Sequence, residues 1–512
     1  MQRPGFDSEK EREYLKRGWW RDDDTLSRWL ARHAAERPNA AALDLAGTVL
    51  TWGALQERVL RVAEGLRARG LKAGDVIAVQ LPNVPEFLIA HLAIARLGAV
   101  MCTLHMPYRG AEIEALLRHS GARAAFCMPK AGEIFRSILG LAGSTIVEAG
   151  AQFAELERSA PLASDYPEPD ARDPFLLLYT SGTTAAPKGV VHAYRTMLGN
   201  SRLGVREHGL SASDRILCAA PLSHLYGLYS LHCAWAVGAC TVLLPAFTPA
   251  DLSAAVEARK PTALWTGPAH LASCRAAGLF DKHDWSSLRL AIVSGSRAAP
   301  ELVKSFAAKL PRCAVTQLWG MTEIQAGLYT RPGDPLELSA TSAGSPSPGT
   351  EIRLAADGEI QVRGPLVFSG YLNNPEATRN AFTADGWFCS GDLAEKRDGN
   401  AYAIVGRSKD IINRGGVKFN PADVESLLDA HPKILQSAIV PMPDAILGEK
   451  ACAFVVLKNK DDRLALEDVV AYLLGKNIAK NKLPEKLVVL EEMPMTPTRK
   501  VIKGRLRVPG AG

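Results

Sequence analysis

Between residues 26 and 244, stretches with helical spacing of apolar residues alternate with short runs of Val, Ile, Ala and Leu such as DVIAVQL, RAAFCM and ACTVLLP. Runs of this kind predict strands buried on both faces, joined by helices, so parallel sheets should dominate. The spacing predicts a first helix over 25–37, with Thr25 as its N-cap, and a second over 52–69 that ends at Gly70. Between 335 and 368 the texture shifts to Gly, Pro, Ser and short alternating runs (EIRLAADGEIQVRG), which predicts a hairpin-rich subdomain. After GRSKDIINRGG the pattern reads helix (ADVESLLDAH), strand (ILQSAIVPM), strand (KACAFVVLK), helix (LEDVVAYLLGK) and strand (KLVVLEE). No internal repeat is visible. The expected organisation is a large α/β domain over 1–405 with a β-rich subdomain, a junction at 406–409, and a small α+β domain over 410–512.

Composition narrows the class. At 512 residues the chain exceeds one ordinary core, so two or more domains are expected. With 47% hydrophobic and 22% charged residues it is neither disordered nor fibrous. A formal charge of +6 over this length is too mild for a nucleic-acid coat, and small anions are the expected partners. The basic run near the C-terminus (Arg499, Lys500, Lys503, Arg505, Arg507) reads as a solvated tail or as a contact for phosphates. The 9 cysteines form no C-x-x-C pair and no His/Cys spacing that would chelate zinc, so they read as reduced core residues. The charged start lacks an apolar signal core, and the most apolar stretch, FLIAHLAIARLGAV, is interrupted by His91 and Arg96. A cytoplasmic protein without a membrane span is therefore expected.

The sharpest local signal is Tyr179-Thr180-Ser181-Gly182-Thr183-Thr184-Ala185-Ala186-Pro187-Lys188-Gly189, directly after the apolar run FLLL. Small and hydroxylated residues let backbone N–H groups and Ser/Thr hydroxyls close around phosphate oxygens, while Lys188 adds charge. It is not the Walker loop, since Pro187 precedes the lysine and Gly189 stands where that motif places its metal-binding hydroxyl. A Ser/Thr-rich surface turn is the alternative reading.

This loop resembles the signature of the adenylate-forming superfamily, which includes acyl- and aryl-CoA synthetases, peptide-synthetase adenylation domains and luciferases. Ala185 replaces the family's usual third glycine. Further motifs follow in the family's order, over roughly 26–507. Pro221-Leu222-Ser223-His224-Leu225-Tyr226-Gly227 resembles the segment whose histidine borders the acyl pocket, and Ser294-Gly295-Ser296-Arg297 the turn that backs the adenine. Trp319-Gly320-Met321-Thr322-Glu323 is similar to the aromatic-G-x-T-E motif, in which the aromatic lies against adenine, Thr322 meets the α-phosphate and Glu323 holds magnesium. The resemblance pairs Thr183 with Glu323 on the metal side, a donor set suited to Mg²⁺ bound through phosphates. Ser390-Gly391-Asp392 matches the ribose-binding aspartate, and Arg407 the ribose- and phosphate-contacting arginine. Without the resemblance, each of these would read as an ordinary turn or core residue.

The resemblance also implies chemistry in two steps. Lys500, in PMTPTRKVIK, aligns with a C-terminal catalytic lysine that bridges substrate carboxylate and α-phosphate, with Arg499 in place of the family's glycine. A mobile small domain, turning at a hinge on Lys409, then presents Gly415, Gly416 and Lys418 to the pantetheine arm. The implied function is ATP-dependent activation of a carboxylic acid to an acyl-adenylate and transfer to coenzyme A, with AMP and pyrophosphate released. Loading of a carrier protein, a luciferase-like oxygenase and a non-catalytic nucleotide-binding relative are the alternatives. Retention of Lys188, Glu323, Asp392, Arg407 and Lys500 together weighs against the last. The pocket segments around His224, 265–268, 294–297 and 319–328 hold few charges, so an aromatic or alicyclic acid is expected first and a medium-chain acid second. A homodimer is the default for an enzyme of this size.

Overall fold

The computed structural model describes residues 7–139, 145–180, 188–496 and 500–509. The chain folds as two units, Met1–Glu351 with Val362–Phe388, and Ile352–Gln361 with Cys389–Gly512.

The larger unit contains two sheets. In the seven-stranded sheet, Val76–Gln80 lies between Val100–Thr103 and Ala124–Cys127, all parallel, with Thr145–Glu148 and Pro174–Tyr179 extending it on either side. Gly189–Ala193 and then Gly370–Tyr371 add antiparallel strands at one edge. The nine-stranded sheet carries a parallel run through Ala314–Trp319, Leu290–Val293, Ala263–Thr266, Arg215–Cys218, Cys240–Leu243 and Ala41–Leu45. These strands are apolar on both faces because helices cover both, as the runs of Val, Ile and Leu predict.

One core cluster draws on both sheets, joining Ile77 and Val79 to Ile216 and Trp265 through two helices, Pro85–Arg96 and Leu225–Val237. Each helix is apolar nearly all round, as a helix enclosed by protein should be. The stretch FLIAHLAIAR is thus a central helix of the core. Its buried Arg96 donates to the carbonyls of Tyr166 and Pro167, and its His91 hydrogen-bonds His232 at 2.9 Å. No helix among the described residues is long and apolar enough to cross a membrane. The nine cysteines are free, and eight are buried.

The first two expected helices form as Leu26–Glu36, capped by the Thr25 hydroxyl, and Trp52–Ala68, capped by Thr51. A helix over Ser8–Lys16, capped by Asp7, precedes them. The 335–368 region departs from expectation in part. It opens with a helix, Leu336–Thr341, before the single hairpin Glu351–Leu354/Glu359–Arg363.

That hairpin joins Phe388–Lys396 and Tyr402–Arg407 in a four-stranded sheet. Most of this sheet lies in the smaller unit, although its strands precede the 406–409 junction. The rest of that unit follows the pattern read from sequence. The long strands Ile434–Asp444 and Gly448–Leu457 pair antiparallel, Lys486–Leu490 runs parallel to the second, and helices Pro421–Leu428 and Leu466–Gly475 cover one face with Val424, Leu428, Val469 and Leu473.

Asp214 ties the entry ends of three adjacent parallel strands in the larger unit. Its carboxylate, 3% exposed, accepts from Thr262 Oγ1 (2.6 Å), Arg289 Nε (2.9 Å) and Nη2 (2.6 Å), and the Ser211 amide (2.8 Å). Burial works to raise its pKa, but the hydrogen bonds from Arg289, Thr262 and Ser211 outweigh it and hold the group below the usual carboxylate range. Asp214→Ala is therefore expected to destabilise the larger unit by about 2 kcal/mol, reduced from a fully buried pair because Arg289 is half exposed. The aspartate's ionic contribution is complete above pH ~4 and is lost as pH falls through its depressed pKa. The variant's deficit in denaturant midpoint should accordingly shrink on acidification, and a constant deficit would contradict the assignment.

Candidate active site

In the larger unit the motifs meet at the carboxyl ends of neighbouring parallel strands, where ligands bind in open α/β sheets. Arg215–Cys218 leads into 219–225, Ala263–Thr266 into 267–268, Leu290–Val293 into 294–299, and Ala314–Trp319 into 320–326.

The first of these loops is clamped from the other sheet. Asn83 donates from Nδ2 to the Ala220 carbonyl (3.2 Å) and accepts the Leu222 amide (2.7 Å), while the Thr103 hydroxyl donates to the Ser223 carbonyl (2.8 Å). His224 then caps helix Leu225–Val237, its Nδ1 accepting the Tyr226 amide at 3.1 Å. That bond fixes the tautomer with the proton on Nε2. The His105 ring stacks on His224 at 6.1 Å and is pulled down to about 4 by burial, so it stays neutral. Tyr226 donates its hydroxyl to the Ile292 carbonyl (2.7 Å), with the Thr266 carbonyl at 3.3 Å, tying the start of the helix to two adjacent strand ends.

Gly295 takes φ 100°, a backbone that only glycine adopts readily, and Ser296 and Arg297 are exposed beyond it. The 320–326 turn is tighter. A Cβ at Gly320 would lie 1.6 Å from the Gln325 carbonyl oxygen, and Gln325 itself sits at φ 52°. Helix Tyr194–Glu207 holds the turn through Asn200, which bonds both the carbonyl (3.2 Å) and the amide (3.3 Å) of Ala326. His192, kept neutral by burial that pulls it to about 4, donates from Nε2 to the Thr322 carbonyl at 2.6 Å. Met321, Thr322 and Glu323 are half-buried, and the buried Trp319 ring packs on Gly327.

The two feet of the glycine- and hydroxyl-rich loop are fixed by the Thr180 amide donating to the Lys188 carbonyl at 3.3 Å. Ser181, Gly182, Thr183 and Thr184 lie outside the described residues, as does Arg499. Lys188 and Glu323 are brought together around a residue that the sequence did not single out. Lys188 Nζ lies 5.4 Å from the Tyr371 ring centroid, and the Tyr371 hydroxyl donates to Glu323 Oε1 at 2.8 Å. Tyr226, Asn83, His192 and Asn200 were also missed. Of these, only Tyr226 stood inside a motif.

The smaller unit gathers its own three residues. Asp392 and Arg407 face each other across paired strands, forming an ion pair with Arg407 Nε 2.9 Å from Asp392 Oδ1. Asp392 is buried and Arg407 exposed. Lys500 closes a small loop, its amide donating to Thr496 Oγ1 (2.9 Å) and its carbonyl accepting the Thr496 amide (2.8 Å). Beyond it, Lys503 Nζ reaches Glu425 Oε1 at 2.7 Å. Burial and the Arg407 guanidinium pull the Lys500 ammonium down to about 8, against the support of Asp392. Gly415 and Gly416 form a two-residue hairpin with φ 59° and 86°, the geometry in which glycine is favoured at both positions, and Lys418 is exposed just after it. Lys409 is exposed in the single 3₁₀ turn Ser408–Asp410.

The model of the AMP-binding enzyme family matches residues 30–372, and that of the AMP-binding enzyme C-terminal domain matches 423–500. The indoleacetate–CoA ligase of Aromatoleum aromaticum is 34% identical over 504 residues, covering 94% of this chain and 97% of that protein. The medium-chain fatty-acid–CoA ligase of Escherichia coli is 29% identical over 528 residues, covering 98% and 93%. The crystal structure of an anthranilate CoA ligase in complex with anthranoyl-AMP superposes with a TM-score of 0.86 at 25% identity, covering 94% of this chain and 96% of that one. The chain belongs to the AMP-binding enzyme family.

Because a side chain at 320 must push the Gln325 carbonyl away, Gly320→Ala is expected to displace Thr322 and Glu323 and to lower acid-dependent pyrophosphate release by ~10²-fold or more. Wild-type turnover in a folded Gly320→Ala protein would show that the turn does not position these residues.

Proposed function

We propose that this chain, an AMP-forming acid–thiol ligase, takes an aromatic or alicyclic carboxylic acid as its substrate and couples it to coenzyme A through an acyl-adenylate. The observation that carries the reading is the placement of His224, Thr322 and Glu323 in loops at the carboxyl ends of one parallel run of strands in one unit, with Asp392, Arg407 and Lys500 gathered on the other. Relatives named for indoleacetate and anthranilate support an aromatic acid, and the relative named for medium-chain fatty acids supplies the second substrate class.

In the first half-reaction a carboxylate oxygen attacks the α-phosphorus of ATP and pyrophosphate leaves. Lys188 and the hydroxyls of Thr180 and the following loop hold the phosphates, and the Thr322 hydroxyl faces the α-phosphate. Asp392 accepts hydrogen bonds from the ribose hydroxyls, and Arg407 orients it. Lys500 bridges carboxylate and α-phosphate, lowering the repulsion between two anions without transferring a proton. Glu323 fits a magnesium ion, being a half-buried carboxylate whose orientation a hydroxyl already sets. Glu323 and Thr183 would hold such an ion arriving with the nucleotide. When bound, it offsets phosphate charge.

In the second half-reaction the thiol of coenzyme A attacks the acyl carbon and AMP leaves. A hinge at Lys409 withdraws Lys500 and brings the Gly415–Gly416 hairpin and Lys418 toward the pantetheine arm, past a backbone without side chains at two consecutive positions. ATP and coenzyme A as co-substrates, with nine free thiols in the chain, favour a cytoplasmic setting.

A panel of acids scored by kcat/KM tests the substrate class, with aromatic or alicyclic acids expected to exceed medium-chain ones; no acid-dependent conversion of ATP to AMP would refute the whole reading. Lys500→Ala is expected to abolish adenylation while sparing thiolysis of supplied acyl-adenylate. Since the bridging lysine acts as a cation and its free-enzyme pKa is about 8, wild-type kcat/KM for adenylation should fall as pH rises through about 8. Lys409→Pro should slow thioester formation more than adenylation; equal losses would argue against a hinge there.

A further inference from the structure

Tyr371 occupies an unusual place for a residue in a two-residue strand. Gly370–Tyr371 lies at the edge of the seven-stranded sheet, where Tyr371 pairs with Val190, two residues beyond Lys188. Its amide donates to Thr378 Oγ1 at 2.9 Å, so helix Pro375–Asn380 pins the backbone from the other side. The residue is 5% exposed. Its hydroxyl donates to Glu323 Oε1 at 2.8 Å, and its ring face receives the Lys188 ammonium at 5.4 Å from the centroid. The same segment grips Glu323 a second time, through the Phe368 amide donating to the Glu323 carbonyl at 2.8 Å.

One rigid ring therefore touches both the cation at the foot of the phosphate loop and the carboxylate of the 320–326 turn, two groups that come from different sheets. A phenol hydroxyl bonded to a carboxylate fixes the plane of that carboxylate, and such charge-assisted bonds are stronger than neutral ones. The ring face attracts an ammonium without supplying a counter-charge, leaving Lys188 for an incoming phosphate. We propose that Tyr371 is a positioning residue that sets the distance and orientation of Lys188 and Glu323, so that nucleotide phosphates and their metal ion are received as one unit. The proposal rests on the adenylating function above and adds to it a residue that acts through Lys188 and Glu323.

Two variants separate the hydroxyl from the ring. Tyr371→Phe keeps the aromatic face and loses the bond to Glu323, whereas Tyr371→Leu loses both. Binding of ATP, measured by titration calorimetry without any acid, is compared in EDTA and in MgCl₂. Tyr371→Phe should bind ATP in EDTA like the wild type but lose ~10-fold of the gain that MgCl₂ confers, the size expected of one hydrogen bond to a charged group. Tyr371→Leu should also bind ATP several-fold more weakly in EDTA. For acid-dependent pyrophosphate release, Tyr371→Phe should need ~10-fold more Mg²⁺ for half-maximal rate, with KM for the acid unchanged. Thiolysis of supplied acyl-adenylate by coenzyme A should proceed at the wild-type rate in both variants. A wild-type MgCl₂ gain in Tyr371→Phe would overturn the proposal, and so would equal losses of adenylation and thiolysis, which mark a merely structural tyrosine. Should the wild type release no pyrophosphate with any acid, the adenylating function fails, while the calorimetric comparison still decides the role of Tyr371.

Discussion

Two anions that must touch repel one another, and that repulsion sets the terms for this molecule. A carboxylate approaching the α-phosphate of ATP opposes it by roughly 4 kcal/mol per unit charge at 4 Å in a surface-like dielectric, and more where water is stripped away. In the proposed mechanism the answer is a set of cations whose placement differs from one to the next. Lys188 stands at the foot of a loop over an aromatic face, Arg407 is exposed beside its partner Asp392, and Lys500 sits where burial and a neighbouring guanidinium work against its charge. Each of these settings gains from a ligand's negative charge.

The two sheets of the larger unit supply the rigidity that such placement needs. Parallel strands end in a row, and each ending is locked by a specific contact. Asn83 and Thr103 lock 220–223, the Tyr226 hydroxyl locks the ends near Thr266 and Ile292, and His192 with Asn200 locks 320–326. At the opposite ends Asp214 binds three strand entries into one knot. Buried polar groups of this kind are costly unless satisfied, and here they are satisfied chiefly by the backbone of the loops that bear the chemistry. Stability of the sheet and precision of the site thus rest on the same hydrogen bonds.

The parallel sheets were legible because strands buried on both faces must be continuous apolar runs, as DVIAVQL and ACTVLLP are. The smaller unit was legible for the related reason that its long strands and two helices keep clean periods. Glu323, Asp392 and Arg407 stood out in motifs, but the contacts each makes did not. Asp392 meets Arg407 because a strand register places 392 opposite 407, and no local pattern encodes a register set by a bulge between Leu393 and Ala394. Tyr371 was invisible because a two-residue strand has no period to read. Asp214 was invisible because its partners, Thr262 and Arg289, lie 48 and 75 residues away. The helix Leu336–Thr341 was hidden by its brevity in a stretch rich in turn residues. The Gly415–Gly416 pair was open to two readings in sequence, a turn or a close passage for a ligand, and the φ values establish the turn without removing the second.

The two lysines illustrate why the chemistry favours cations of different kinds. In the proposed mechanism the α-phosphate is present in both half-reactions, and Lys188 belongs to the scaffold, its neighbour Gly189 opening a sheet strand and its ammonium resting on a ring buried in the same unit. Charge at the reacting carboxyl is needed only until the adenylate forms. In the proposed second half-reaction the same space admits a thiol, and a fixed ammonium there would obstruct its approach. Lys500 is held by a short loop closed at Thr496 and anchored only three residues on, by Lys503 to Glu425, all within the smaller unit. In the proposed mechanism the hinge at Lys409 lies between Arg407 and Lys500 in the chain, so Lys500 would leave the carboxyl while Asp392 and Arg407 keep the ribose.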